Sequence, residues 1–241
     1  IPSGDFFHHE YGLEPRLGIS YLISPNISIK AAYARTLQYV HLLSFSSAGS
    51  PMEIWIPSSP CIKPQSSHQV SAGVFATLFR KDYEASVELF YKDLDNVLDF
   101  KDHPNLLLYD KIETELRFGT GKSYGAEFLV RRNKGALTGW ISYTWSRSFR
   151  TIPGVNNGRK YRSPSDRPHN INLVLFYDIS SRLQASLNWI YATGQPVTLP
   201  EGRYWFYNEL IPVYTERNSY RIADYHRMDA SLTIKLGNMN R

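Results

Sequence analysis

The sequence predicts an all-β fold, and more narrowly part of a transmembrane antiparallel β-barrel, to which this chain contributes about nine strands. Apolar and polar side chains alternate along nine runs of about 10 to 12 residues, and a period of two indicates a strand. The connections between the runs are alternately short, about three or four residues, and long, about twenty or more. No Lys, Arg, Asp or Glu lies in the middle of any apolar face, where one charge in lipid would cost about 2 to 4 kcal/mol.

The clearest hairpin covers residues 123–147 and serves as the template for the others. Its turn is Asn133-Lys134-Gly135, and a glycine-containing turn between two alternating runs predicts an antiparallel pair. The apolar face of its two strands consists of Tyr124, Ala126, Phe128, Val130, Leu137, Ile141, Tyr143 and Trp145.

Applied along the chain, the same pattern predicts strands near residues 14–23, 27–36, 68–79, 83–93, 123–132, 136–147, 169–179, 183–193 and 225–236. Residues 37–65 lose the alternation and contain four prolines, so they are predicted to form a long loop. Residues 93–122 form a second long connection, for which the pattern leaves open a continued strand through Val97 and Phe100. Residues 148–168 and 194–224 are the remaining long loops.

Strand length and aromatic placement favour a membrane barrel over a soluble β-sandwich, which would also place apolar side chains on one face. The runs are about twice as long as an ordinary soluble strand and match a tilted span of a bilayer. Aromatic rings prefer the headgroup level, and they occur at both ends of the apolar face. The short-turn ends carry Tyr21, Tyr83 and Tyr177, and the long-loop ends carry Tyr33, Tyr91, Tyr124, Trp145, Trp189 and Tyr191.

The composition argues against a helical membrane protein, a disulfide-linked scaffold and a nucleic-acid-binding protein. The sequence contains no run of about 18 apolar residues, so no transmembrane helix is predicted. The first residues show no basic region followed by an apolar core, so an exported protein would begin here after its targeting segment. The single Cys61 cannot form an internal disulfide. The net charge of +5 comes from scattered cations, which predicts no nucleic-acid partner.

No catalytic residue, metal site or cofactor is predicted, and the chain is predicted not to be an enzyme. His68, His169 and His226 each lie where a strand begins at the long-loop end, but metal sites need ligands that converge at short spacing. Salt bridging at the membrane boundary is the alternative role for these histidines. Serines are common, yet no nucleophile elbow is present.

Two loop segments combine cations with aromatic rings, a composition suited to anionic chelates or to stacked sugars. They are Arg159-Lys160-Tyr161-Arg162 and Arg203-Tyr204-Trp205-Phe206-Tyr207. The candidate substrate-binding residues are Arg159, Tyr161, Arg162, Trp205 and Tyr207. The same composition also suits loops that only face lipopolysaccharide, and this alternative stays open.

Four segments in order resemble the C-terminal barrel of TonB-dependent receptors, most closely the Bacteroidetes type with a carboxypeptidase-like regulatory domain. They are GKSYGAEFLVRRNKGALTGWISYTWSRS, SPSDRPHNINLVLFYDIS, NWIYATGQPVTLPEGRY and DYHRMDASLTIKLG. The resemblance is dense from Gly121 to Gly237 and looser before Ser66. Members of this family have a plug inside a barrel of about 22 strands. This chain contains neither a plug nor a TonB box, so it is expected to be a portion of a larger protein.

The resemblance implies a multi-pass barrel in the outer membrane of a Gram-negative bacterium. Such a receptor would import a scarce nutrient, a siderophore, vitamin, glycan or peptide, with energy from the proton-motive force. Its partners would be the TonB complex, reached through the plug, and outer-membrane lipid with lipopolysaccharide; a surface lipoprotein is left open as a further partner. The alternative functions are a plugless porin or adhesin barrel and a soluble β-sandwich binding protein.

Overall fold

The predicted fold class is confirmed by the computed structural model, which describes residues 9–47, 50–79, 81–102, 112–214 and 216–236. The strands are β1 (Arg16–Ser24), β2 (Ile27–Gln38), β3 (Val40–Ser47), β4 (Ser50–Pro57), β5 (Gln65–Leu78), β6 (Tyr83–Phe100), β7 (Leu116–Arg132), β8 (Leu137–Thr151), β9 (Tyr161–Arg162), β10 (His169–Ser180), β11 (Leu183–Ala192), β12 (Pro196–Val197), β13 (Gly202–Phe206), β14 (Glu209–Val213), β15 (Tyr220–Arg221) and β16 (Tyr225–Ile234). Two short 3-10 helices cover Ile112–Glu115 and Asn156–Gly158. Neither of these, nor any other helix in the described ranges, could cross a membrane.

Nine long strands form one antiparallel sheet in the order β1-β2-β5-β6-β7-β8-β10-β11-β16, and the two-residue β9 pairs with β8. Tight turns join the strands at one end of the sheet, called here the short-turn end, and the long connections lie at the other, the long-loop end. At the short-turn end, Gly135 adopts a φ of +100° in the turn between β7 and β8. That left-handed conformation is the reason a glycine is suited to this turn.

The apolar face of the sheet is continuous across the strands because the register brings like side chains opposite one another. One row of paired residues crosses eight strands through Ile27, Ala76, Ala85, Val130, Ile141, Leu173, Trp189 and Met228. These side chains are not a packed core: Val130 is 46% exposed, Ile141 43% and Met228 66%. The other sheets in the described residues are two-stranded, so this part of the chain contains no second large sheet of the kind that packs on the first in a β-sandwich.

The opposite face is polar and crossed by charges. Lys30, Gly73, Glu88, Glu127 and Thr144 form one of its paired rows. The Lys30 ammonium lies 4.5 Å from the centroid of the Phe75 ring, so this face also holds amphipathic contacts. Unpaired charges are excluded from dry protein cores, and this face is therefore suited to water or to a polar partner.

Residues 37–65, predicted as loop, instead contain the hairpin of β3 and β4, which pairs Val40 with Pro57. The loop prediction relied on the prolines of this segment and was wrong here. Pro51 and Pro57 belong to β4, near the two ends of a hairpin that is separate from the main sheet. Proline is tolerated at such edge positions, where its missing N–H breaks no central ladder. Residues 194–224, also predicted as loop, contain the short pairs β12-β15 and β13-β14.

The continued strand through Val97 and Phe100 is present, since β6 runs to Phe100 and pairs with β7 from Leu116. The register shifts between Asp95 and Val97, and the extra residue, Asn96, has a φ of 56°. A bulge of this kind inserts one residue and reverses the phase of the alternation. The sequence pattern therefore fades beyond residue 93 although the strand does not end.

Candidate functional site

The long-loop end is built on the extensions of β6, β7 and β8 and holds two small buried clusters. The first contains Leu43, Ile56, Ile62, Leu98, Phe100 and Leu116, which attach the β3-β4 hairpin to β6 and β7. The second contains Val97, Ile152, Val155 and Tyr161, which fold the β8-β10 connection back onto β6. These clusters fix the loop backbones from which the polar groups of this end project.

Asp99 is a buried carboxylate that joins three chain segments. It accepts a hydrogen bond from the Tyr161 hydroxyl at 2.8 Å and one from Arg217 Nη1 at 2.9 Å. Arg150 Nη1 lies 3.5 Å from the same carboxylate. Burial raises the pKa of Tyr161 well above its usual range, and the charge of Asp99 and the hydrogen bond to it add to the shift. Tyr161 therefore remains a neutral donor throughout the physiological range.

Arg217 extends this connection to the next loops. Its guanidinium also donates to the Lys101 carbonyl at 3.2 Å and to Asp102 at 3.5 Å. Its backbone N–H donates to the Asn156 side-chain oxygen at 2.8 Å. One arginine thus links the β6-β7, β8-β10 and β11-β16 connections.

Asp166 is a second buried carboxylate and is fully inaccessible to solvent. Its side chain accepts from the Ser148 N–H at 2.7 Å, from Arg147 Nε at 3.3 Å, and from Arg221 through a short contact. Arg221 also donates to the carbonyls of Asp166 and Gly194. Asp166 therefore fastens the connection after β11 to the end of β8.

Beside these anchors lies an open cleft of about 430 Å³ at the junction of β8, β9 and residues 216–219. Its lining contains five cations, Arg147, Arg159, Lys160, Arg162 and Arg217, and one acid, Glu216. Arg147 and Arg217 are already paired with the buried Asp166 and Asp99, so Lys160 and Arg162 are the lining cations without a carboxylate partner in the described residues. Phe149 forms an apolar part of the wall, and the Lys160 ammonium lies 3.8 Å from the centroid of its ring. The chemistry of the cleft favours an anionic group.

Three of the five predicted substrate-binding residues, Arg159, Tyr161 and Arg162, line this cleft, and each contacts a different partner. Arg159 pairs with Glu216 at 3.1 Å, and Arg162 donates to the Ser219 carbonyl at 2.7 Å. Tyr161 is buried, and its hydroxyl is directed to Asp99. Its role in the structure is to hold the loops together.

Trp205 and Tyr207 belong to a different element, the β13-β14 hairpin, where they are 70% and 89% exposed. The five predicted residues are therefore not gathered into one cluster. Their assignment as substrate-binding residues stays a prediction.

Two of the three histidines hydrogen-bond to tyrosines. His68 Nδ1 lies 2.9 Å from the Tyr33 hydroxyl, and His169 Nδ1 lies 2.9 Å from the Tyr143 hydroxyl. The same contact thus recurs on two strand pairs at the long-loop end. Within the described ranges, no three His, Cys, Asp or Glu side chains are grouped so that they could hold a metal ion.

Sequence reasoning missed Asp99, Asp166, Arg217 and Arg221. Asp99 and Arg217 are 118 positions apart, and no local pattern signals such a pair. Asp166 had a weak local signal, because it ends the turn Ser163-Pro164-Ser165-Asp166, in which the Asp166 N–H donates to the Ser163 carbonyl.

Comparison with known proteins adds independent findings. The profile of the family described as TonB dependent receptor-like, beta-barrel matches residues 3–240. No curated protein matches the chain. Among solved structures, the chain is similar to the ferric-catecholate import receptor Fiu from E. coli K12, at 19% identity over 92% of this chain and 28% of that one, with a TM-score of 0.61.

Two further structures are similar at lower identity. The FrpB iron transporter from Neisseria meningitidis is 12% identical over 93% of this chain and 32% of that one, with a TM-score of 0.58. The ferripyoverdine receptor of the outer membrane of Pseudomonas aeruginosa is 12% identical over 93% and 27%, with a TM-score of 0.60. The chain spans less than a third of the length of each of these proteins, and at these identities the likeness concerns the fold.

Proposed function

The chain belongs to the family of TonB-dependent receptor-like β-barrels, and from that membership we propose that it forms part of the wall of an outer-membrane receptor of a Gram-negative bacterium. Such a receptor imports a scarce nutrient with energy delivered through TonB. The observation that carries the proposal is the exposed apolar face, continuous over eight paired strands and backed by a polar face. A wall with lipid on one side and water or a plug on the other requires this arrangement.

In this proposal the chain performs no chemistry and supplies a rigid wall with outward loops. The Asp99 and Asp166 anchors join described residues of three long connections to one another, so a ligand would meet a preformed surface there. Preformed surfaces bind with less loss of conformational entropy than mobile loops do. The TonB complex would act on the plug, and movement of the plug would release the ligand inward.

For the substrate class, a ferric chelate is the first of the siderophore, vitamin, glycan and peptide classes to test. The similar structures include proteins described as a ferric-catecholate import receptor, an iron transporter and a ferripyoverdine receptor. The exposed rings of Trp205 and Tyr207 are suited to stacking on an aromatic chelate, and Arg159 and Arg162 to its negative charge.

The proposal has two further parts: the receptor is of the Bacteroidetes type, and a surface lipoprotein is one of its partners. A full-length protein with a carboxypeptidase-like regulatory domain before its plug would support the first. Co-purification of a lipoprotein with the intact receptor would support the second.

Energised uptake tests the proposed function. In cells that carry the full-length receptor as their only route for a labelled ferric siderophore, we expect saturable uptake that stops when a protonophore collapses the proton-motive force. Deletion of the gene for TonB should have the same effect. Uptake that persists without proton-motive force would contradict the proposal and favour a plugless porin.

In the same assay, Trp205→Ala with Tyr207→Ala should raise the KM about tenfold if these rings contact the ligand.

A further inference from the structure

The β3-β4 hairpin packs against the extensions of β6 and β7 at the long-loop end. In the described residues its two strands pair only with each other, so no strand pairing joins the hairpin to the wall. Leu43 and Ile56 of the hairpin are instead gathered with Leu98, Phe100 and Leu116 of the wall in the first buried cluster. The burial of these apolar side chains therefore holds the hairpin in place.

His41 lies on the wall-facing side of this hairpin. It is two residues from Leu43 along β3 and pairs with Ile56 on β4, and both of those side chains belong to the buried cluster. Residues two apart in a strand, and residues paired across two strands, project to the same side of a sheet. His41 is only 3% exposed. A titratable imidazole is thus buried in the contact between the hairpin and the wall.

The surroundings of His41 offer it a hydroxyl group and no carboxylate. Its Nε2 lies 3.4 Å from the Ser58 hydroxyl, and within the described ranges it forms no ion pair. The elements around the cluster carry the charged residues Lys63, Asp99, Lys101, Glu113, Glu115 and Arg117.

None of these charged groups compensates a charge on His41. Glu115 is paired with Lys101 at 2.9 Å, and Glu113 accepts from the Ser59 hydroxyl at 3.3 Å. Lys63 is exposed and would repel a second cation. Asp99 and Arg117 are paired residues of β6 and β7 that alternate with the cluster residues, so they project to the opposite side of the wall.

Protonation of His41 is therefore unfavourable while the hairpin is attached to the wall. Burial lowers the pKa of His41 from its usual range, because an imidazolium without a carboxylate partner is poorly stabilised away from water. In a detached hairpin the imidazole would be in water, with an ordinary pKa of about 6.5. Below that pH the detached form binds more protons than the attached form, so acid favours detachment by up to about tenfold per pH unit. Above that pH, attachment does not depend on this group.

We propose that the β3-β4 hairpin is an acid-released flap, which leaves the extensions of β6 and β7 when His41 takes up a proton. The candidate site is affected because the same segment of β6 serves both. Leu98 and Phe100 pack with the hairpin, and Asp99 between them holds Tyr161 and Arg217 on the other side. Detachment uncovers one side of this segment and lowers the free energy of its local opening. The relevance of this effect to uptake rests on the proposed function, in which the long-loop end faces the medium.

Thiol labelling of the full-length receptor in lipid vesicles tests the release. Leu43→Cys in a Cys61→Ser background places a thiol in the buried cluster, and the exposed native Cys61 of the unmodified receptor gives the reference rate at each pH. Between pH 7.5 and pH 5.5 the labelling rate of the buried thiol relative to the reference should rise about tenfold, the factor expected when only the detached form takes up the proton.

Histidine variants in the same background assign this effect. His41→Gln and His41→Leu both remove the titrating group, one with a polar and one with an apolar side chain, and their relative labelling rates should not change with pH. The control is His226→Gln, which removes an exposed histidine at the long-loop end and should keep the tenfold rise. A rise that persists in both His41 variants, or is lost in His226→Gln, would overturn the inference.

Hydrogen exchange tests the link to the candidate site. The N–H groups of Lys101 and Arg159 donate to the carbonyls of Glu115 and Asn156. Corrected for the intrinsic chemical rate, these amides should exchange roughly tenfold faster at pH 5.5 than at pH 7.5, and equally fast at both in the His41 variants. Equal exchange in the unmodified receptor would overturn the link. Uptake that persists without proton-motive force would overturn the proposed function and leave the labelling result standing.

Discussion

Val87→Arg should destabilise the receptor in a bilayer by about 2 to 4 kcal/mol. Val87 lies midway along the membrane part of β6, between the rings of Tyr83 and Tyr91, and its side chain is 43% exposed on the apolar face. An arginine there would place its charge near the centre of the hydrocarbon, with no partner in the neighbouring apolar row. The measurement is reversible urea unfolding of the full-length receptor in lipid vesicles.

The neighbouring residue provides the matched control. Ser86 pairs with Phe75 and Leu129 and projects to the polar face. Ser86→Arg adds the same charge one position away and should cost less than about 1 kcal/mol, because that face is wet or meets a polar partner. Equal costs for the two variants would mean that Val87 does not face lipid.

Asp166→Ala should lower the local opening free energy of the long-loop end by about 3 kcal/mol. The change leaves Arg147, Arg221 and the Ser148 N–H without their shared acceptor. Breaking a fully buried ion pair costs about 3 to 5 kcal/mol, and both arginines reach solvent here, so the lower end applies.

Hydrogen exchange measures this effect. The amides of Ser148 and of the segment after β11 should exchange roughly 100-fold faster in Asp166→Ala, while amides in the centre of β10 and β11 remain unchanged. The control is Asp178→Ala, which removes an exposed carboxylate that accepts from Gln184 at the short-turn end. Unchanged exchange at Ser148 would show that Asp166 does not anchor the loop.

The membrane part of the fold could be predicted because its signals are local. A strand with lipid on one side and water on the other repeats every two residues, and tight turns such as Asn133-Lys134-Gly135 can be read within a few positions. Beyond residue 93 the sequence only left open that β6 continues through Val97 and Phe100, since the bulge at Asn96 reverses the phase of the pattern.

The candidate site could be predicted only in part because its contacts are long-range. Cations and rings in one segment indicated Arg159 and Arg162, which do line the cleft. The same signal could not reveal that Tyr161 is buried against Asp99, which lies 62 positions earlier in the chain. Nor could it distinguish the two faces of the wall, because the face of Arg162 follows from its pairing with Phe149.

Site-directed spin labelling measures directly which side chains of β6 face lipid and which face water. In full-length receptor with Cys61→Ser, single cysteines from residue 84 to residue 89 would be labelled and the protein placed in bilayers. We expect oxygen dissolved in lipid to collide most with labels at Ala85, Val87 and Leu89, and a water-soluble nickel complex to collide most with those at Glu84, Ser86 and Glu88. The opposite phase, or no alternation at all, would show that the odd-numbered side chains of β6 do not face lipid.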